Sequence, residues 1–266
     1  MSMTDQIALF EHPSPTDTSR VVSWFSCGAA SACATKLAID RWGDRVVIAY
    51  TDPKGEHPDN ARFLADCERW FGRAIIRLVN NRYRDPWDVM ETERFIVGPT
   101  GAKCTGEMKK ALRYRFQRPD DVQVFGYTAE ERTRADRFRA ENFEVHLETP
   151  LIDAGMTKDD CLRVVARAGI EIPVMYRLGF RNNNCLGCPK GGMGYWNMIR
   201  QHFPDQFNRM ARLERSIGAT CLRESQGPGQ SKTPLYLDEL APDRGNILTE
   251  RDFECSLLCH GTESEA

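Results

Sequence analysis

The reading of the fold starts from Arg20-Val21-Val22-Ser23-Trp24-Phe25-Ser26-Cys27-Gly28-Ala29-Ala30-Ser31. Arg20–Ser26 is a short apolar run bounded by small polar residues, the pattern of a buried strand. Residues 31–42 (SACATKLAIDRW) read as a helix whose first turn carries small residues. Between them lies a turn built from Ser, Cys, Gly and Ala. Such a turn brings bare backbone N–H groups to a helix N-terminus, where orphan donors and the helix dipole together suit an anion. Gly28 allows close approach, and Ser26 and Ser31 add hydroxyls. The turn lacks the later glycines of a dinucleotide fingerprint and the Gly-Lys-Ser/Thr of a Walker loop. Without a ligand it is simply a tight strand-to-helix connection, and both readings stand at this point.

Outward from this unit, strands and helices alternate. Val46–Tyr50, Ile75–Val79 and Val122–Tyr127 read as strands, and Val145–Leu147 as a fifth. Pro58–Phe71, Trp87–Ile96 and Gly106–Phe116 read as helices, Pro58 sitting where a missing N–H costs nothing. Thr157, with Asp160 three residues on, opens a helix that runs to Gly169. Alternation of this kind predicts an α/β fold, a doubly wound, mostly parallel sheet covered on both faces. Two short helices, 191–202 and 204–217, follow, then a polar stretch over 222–250 that reads as a long loop. The expected organisation is a flexible arm over 1–19, a nucleotide-binding domain over 20–190, and a helical, cysteine-bearing extension over 191–266 packed on it.

The chain has 266 residues, with 36 Lys and Arg against 38 Asp and Glu, and 41% apolar residues. That length buries a real core, and the composition excludes a disordered chain. No apolar run approaches the ~20 residues of a bilayer span. The N-terminus has no basic start followed by an apolar stretch, so a cytoplasmic location with no membrane partner is expected. Ten cysteines are therefore read as metal or thiol chemistry rather than disulfides. Cys185-Leu186-Gly187-Cys188 lets two thiolates of one turn reach a single ion or cluster. A redox dithiol is the other reading, but the strand-to-helix setting of a thioredoxin-type pair is absent. One pair cannot fill a tetrahedral site, so further ligands must come from elsewhere. Cys27 lies in the glycine turn; Cys33, Cys67, Cys161 and Cys221 read as small apolar residues.

Taken together, these segments resemble the phosphoadenosine phosphosulfate (PAPS) reductase family of the adenine nucleotide alpha-hydrolase-like (PP-loop) superfamily. The turn at 26–31 resembles the PP-loop, with Cys27 in place of a glycine and Ala30 where ATP pyrophosphatases keep an aspartate. Tyr50-Thr51-Asp52-Pro53-Lys54-Gly55-Glu56 resembles the family's Asp-Thr-Gly segment. Gly126-Tyr127-Thr128-Ala129-Glu130-Glu131-Arg132-Thr133-Arg134 resembles its nucleotide-contacting element, with Thr128 in place of the usual arginine. The resemblance runs from about Val21 to Cys188. It implies a Rossmann-like fold and an adenine nucleotide (PAPS, APS or ATP) held by Ser26, Gly28, Ser31, Asp52, Glu56, Lys109, Lys110, Gly126, Glu131 and Arg134. Lys109, Lys110 and Arg134 would neutralise sulfuryl and phosphate oxygens, and Gly126 would lie against base or ribose. Asp52 and Glu56 have a second reading, as caps of the next helix.

The resemblance also assigns the thiols. Cys104 stands where iron–sulfur members carry adjacent cysteines, and here Thr105 follows it. The implied metal ligands are Cys104, Cys185, Cys188 and Cys259, with a 4Fe-4S cluster preferred to zinc. Glu254-Cys255 resembles the reductases' C-terminal Glu-Cys, which makes Cys255 the nucleophile toward activated sulfate, with a thiol reductant such as thioredoxin as partner. The implied function is reduction or transfer of activated sulfur. Two alternatives remain: an ATP-dependent thiolation or DNA phosphorothioation-type enzyme, and a non-enzymatic, metal-stapled nucleic-acid-binding domain. For a nucleic-acid partner speaks the 103–139 stretch, with ten Lys and Arg against six acids, and Tyr195 and Trp196 as stacking rings. The plainer account of both is a solvated helix face and core aromatics.

Overall fold

The computed structural model describes residues 15–99, 101–225 and 231–250. Five strands form one parallel sheet in the order β3-β2-β1-β4-β5, flanked by helices. They are β1 (Val21–Phe25), β2 (Val46–Asp52), β3 (Ile76–Val79), β4 (Val122–Val124) and β5 (His146–Glu148). β1 runs in register with β2 from Val21↔Val46 to Phe25↔Tyr50, and with β4 from Val21↔Val122 to Ser23↔Val124. The α/β, doubly wound fold expected from the alternation is the one observed. β1 is buried along its whole length, which is why it reads as a continuous apolar run rather than an alternating one.

The helices are α1 (Ala29–Trp42), α2 (Asn60–Phe71), α3 (Pro86–Glu93), α4, α5 (Arg132–Glu141), α6 (Pro150–Asp153), α7 (Lys158–Arg167), α8 (Val174–Arg177), α9 (Met193–His202) and α10 (Pro204–Ile217). α4 is the continuous stretch formed by Lys103–Thr105, a π-helical turn at Gly106–Lys110, and Ala111–Phe116. α1 begins two residues earlier than the sequence suggests, with Gly28 at its cap. α2 begins at Asn60, two residues after Pro58, and the chain after β5 goes directly into the short helix α6. The polar stretch over 222–250 carries an antiparallel pair, β6 (Leu222–Glu224) with β7 (Thr233–Leu235), where a loop was expected.

By internal contacts the chain divides into two interleaved units. One takes the chain to Tyr50, Arg62–Leu78 and Arg115–Ile172; the other takes Thr51–Ala61, Val79–Tyr114 and the chain from Pro173. In the first, α1 packs on β1 and α7 through its small side chains. Ala29, Ser31, Ala32, Cys33, Ala34, Thr35 and Ala38 are all buried. Small residues let a helix approach a sheet closely, and the two buried hydroxyls are satisfied: Ser23 bonds Thr35 at 2.9 Å, and Thr35 donates to Ser31 O at 2.7 Å. On β1, Phe25 stacks on Phe63 with centroids 6.2 Å apart. Residues 16–19 belong to this unit, since Arg45 donates to the Thr16 and Ser19 carbonyls. The expected arm, as far as residue 14, lies outside the described residues.

The second unit is built on a core that includes Trp87, Met175, Phe180, Cys188, Trp196 and Met210. Glu214, fully buried on α10, accepts from the Leu237 and Cys221 amides, each at 2.7 Å, and from the Cys221 thiol at 2.9 Å. Its carboxyl thereby ties β6 and the segment after β7 to α10. Burial raises its pKa above the ordinary carboxylate value. No described helix is long and apolar enough to cross a membrane.

Candidate functional site

In the strand order, β1 lies between β2 and β4, so the chain turns outward in opposite directions from this point. Ligands of open α/β sheets bind outside the carboxyl ends of the strands at such a switch point. Two segments leave the sheet there: the β1–α1 turn, and the Gly126–Arg134 segment after β4.

The β1–α1 turn is tightly organised. Cys27 is buried and holds φ = 60°, the left-handed region that favours glycine. For a residue with a side chain this costs ~1–2 kcal/mol, so the turn keeps the backbone of a glycine loop without the glycine. Ser31 Oγ accepts from the Ser26 amide and the Ser26 hydroxyl, both at 3.0 Å, and donates to Gly28 O at 3.0 Å. The Ser31 proton is thus spent inside the turn. Sequence reasoning made it a ligand donor; in the structure it shapes the turn, leaving the first-turn amides of α1 as the donors the helix cannot itself satisfy.

Gly126 marks a close approach of backbone to backbone. A Cβ there would lie 2.8 Å from both Ser31 Cα and Ser31 N. The glycine allows the segment after β4 to abut the first turn of α1. Beyond it, Glu131 accepts from the Thr128 amide at 3.1 Å and the Thr128 hydroxyl at 3.3 Å. Arg134 pairs with Glu131 and lies over the Tyr127 ring, 5.4 Å to the centroid.

In the second unit, the segment after β2 forms a different centre. Asp52 accepts from the Lys54 amide at 2.8 Å, closing a turn in which Lys54 takes φ = 57°. The Glu56 side chain is buried, 5% exposed against 7% for Lys109. Lys109 Nζ lies 3.4 Å from Glu56 Oε1, and Asn60 donates to Glu56 Oε2 at 2.8 Å. Asn183 in turn donates to Asn60 Oδ1 at 2.8 Å. Burial accounts for the pairing, since a charge taken out of water requires a partner. Lys110, the next residue, is half-buried. Asn182, Asn183 and Asn184, buried just before Cys185, were not singled out from the sequence. Their signal was three amides in a row at the entrance to the cysteine turn.

Cys104, Cys185 and Cys188 are all buried in this unit. Cys104 packs with Tyr83, Val89, Ala102 and Met108. Gly187, at φ = 72°, bends the Cys185–Cys188 turn against Trp87 and Trp196. Tyr195 holds that turn through its hydroxyl, which accepts from the Cys188 amide at 2.9 Å and donates to Cys185 O at 3.0 Å. Tyr195 and Trp196 are 3% and 0% exposed, which makes them core residues rather than stacking platforms. Among the described residues no three His, Cys, Asp or Glu side chains converge to hold a metal ion. Cys255 and Cys259 lie outside the described residues. The remaining thiols behave as expected of packing residues: burial raises Cys67, while the Cys33 contact and burial together raise Cys161.

No known protein family matches this chain, and no curated protein does.

Proposed function

We propose that the protein binds an adenine nucleotide at the β1–α1 turn and reduces or transfers activated sulfur through a cysteine thiolate, as a PAPS reductase-like enzyme. The observation that carries the reading is the turn itself. A left-handed Cys27, a cap at Gly28 and a crowded Gly126 present the first amides of α1 at the switch point of a parallel sheet. That is where the anionic end of a nucleotide is favoured by both donors and dipole.

In this reading the α1 amides hold phosphate oxygens, and Cys255 attacks the sulfur of the sulfuryl group. The new Cys255 S–S bond forms as the S–O bond to the nucleotide phosphate breaks, and the phosphate leaves with the electron pair. A second thiol, from Cys259 or a reductant such as thioredoxin, then attacks Cys255 Sγ and expels sulfite, leaving a disulfide. The two electrons come from the two thiols. The described cysteines alone do not complete a tetrahedral site, and the steps above need none. A cluster or zinc, if held, would need ligands from beyond residue 250 beside Cys185 and Cys188.

The test is turnover of PAPS or APS with dithiothreitol or thioredoxin. Cys255→Ser is expected to abolish sulfite release while leaving nucleotide affinity unchanged. A Cys255→Ser protein with wild-type sulfite release overturns the assignment.

A further inference from the structure

α1 and α7 lie in the same unit and pack on each other. Cys33 on α1 is 2% exposed and Cys161 on α7 is 0% exposed. Cys33 Sγ donates to Cys161 O at 3.5 Å, and the Cys161 thiol has the Cys33 thiol as its hydrogen-bond neighbour. Two sulfurs thus meet at one point of the helix contact. Packing alone would be served there by alanine, which already fills the buried positions Ala29, Ala32, Ala34 and Ala38 of the same helix. A pair of thiols on facing helices adds what alanine cannot, the capacity for a bond between them.

The reduced pair is quiet. The Cys33 contact, burial and the nearby Asp160 and Glu130 charges raise the Cys161 thiol, which stays protonated at neutral pH. A thiol reacts through its thiolate, so oxidation awaits a local opening of the contact. The two residues stand 128 positions apart in the chain. A cross-link that closes a loop of this length restricts the unfolded chain strongly and opposes the opening of either helix. α1 starts from the Gly28 cap, so whatever fixes α1 also fixes the first amides of the glycine turn.

We propose that Cys33 and Cys161 form a redox latch: a hydroperoxide oxidises them to a disulfide that locks α1 onto α7. One thiol takes an oxygen from the peroxide as a sulfenic acid; the O–O bond breaks and the alcohol leaves with the thiol proton. The other thiol then attacks that sulfur, the S–S bond forms as the S–O bond breaks, and water leaves. The thiols give up two electrons, and the peroxide takes both. The inference concerns the support of the glycine turn and holds whether or not the turn binds a nucleotide.

The test treats the full reduced chain with hydrogen peroxide, maps its disulfides by mass spectrometry, and follows amide hydrogen exchange in α1. The Cys33–Cys161 bridge is expected at least about tenfold above bridges from either residue to Cys67, another buried thiol of the same unit. Exchange of the α1 amides is expected to slow about tenfold or more on oxidation and to recover with dithiothreitol. Cys161→Ala is expected to lose both the bridge and the slowing; if it does not fold, Cys33→Ala takes its place with the same expectation. A folded wild-type chain with no excess of the Cys33–Cys161 bridge, or with the bridge and unchanged α1 exchange, overturns the proposal. So does slowing that persists in the folded alanine variant. Neither readout involves nucleotide, so failure here is separate from failure of the sulfite assay.

Discussion

Glu56 and Lys109 stand 53 positions apart in the chain and meet at 3.4 Å with almost no exposure. Read singly, each is a charged residue near a motif, and the natural inference is a ligand group. The pairing is invisible in the sequence because nothing local encodes it: α4 must first fold against the segment after β2. Once paired, each charge helps to compensate the other. Lys109→Met removes the ammonium beside the buried Glu56 carboxylate, an expected loss of ~3–5 kcal/mol. The double variant Glu56→Gln, Lys109→Met is expected to recover a large part of it. Urea unfolding of the four proteins of this cycle reads the coupling, and strictly additive losses would contradict the pairing. Ser31 teaches the same lesson on a shorter scale. Its position in a phosphate-type turn was legible, but the direction of its proton, to Gly28 O, was not.

At the scale of elements the sequence was most informative where a single local signal dominated. β1 was legible from its unbroken apolar run, and α7 from its cap. Thr157 accepts from the Asp160 amide at 3.2 Å, and Asp160 Oδ2 accepts from the Thr157 hydroxyl and amide in return. Thr157→Ala is expected to cost ~1 kcal/mol in unfolding free energy. The Thr157 side chain and amide, with Arg163, hold the Asp160 carboxyl down from 3.8 to about 2. A depressed carboxyl lends stability above its unfolded value and loses it as the pH falls toward the folded one. The stability difference between wild type and Asp160→Asn is therefore expected to persist at neutral pH and to vanish between about pH 4 and pH 2. A difference unchanged down to pH 2 would contradict the cap. The β6–β7 pair was missed for the opposite reason: three-residue strands with polar flanks carry too little periodicity to separate them from loop. Their place is set instead by the distant Glu214 on α10.

At the scale of the whole molecule, alternation of strand and helix made the parallel sheet legible. The division into interleaved units was not, because residues 51–61 and 79–114 join the chain beyond 173 through contacts remote in sequence. That gathering places the cysteine turn, the Asn run and the Glu56–Lys109 pair in one unit, while the glycine turn and the Gly126 segment belong to the other. The claim on which the functional account depends concerns the glycine turn. Isothermal titration of the full chain with adenosine 3′,5′-bisphosphate and adenosine 5′-monophosphate measures it without requiring turnover. Saturable binding is expected for at least one ligand, weakened about tenfold or more by Gly126→Ala, whose Cβ would drive into Ser31. No binding of either nucleotide at millimolar concentration, or equal affinity in a folded Gly126→Ala protein, would contradict it.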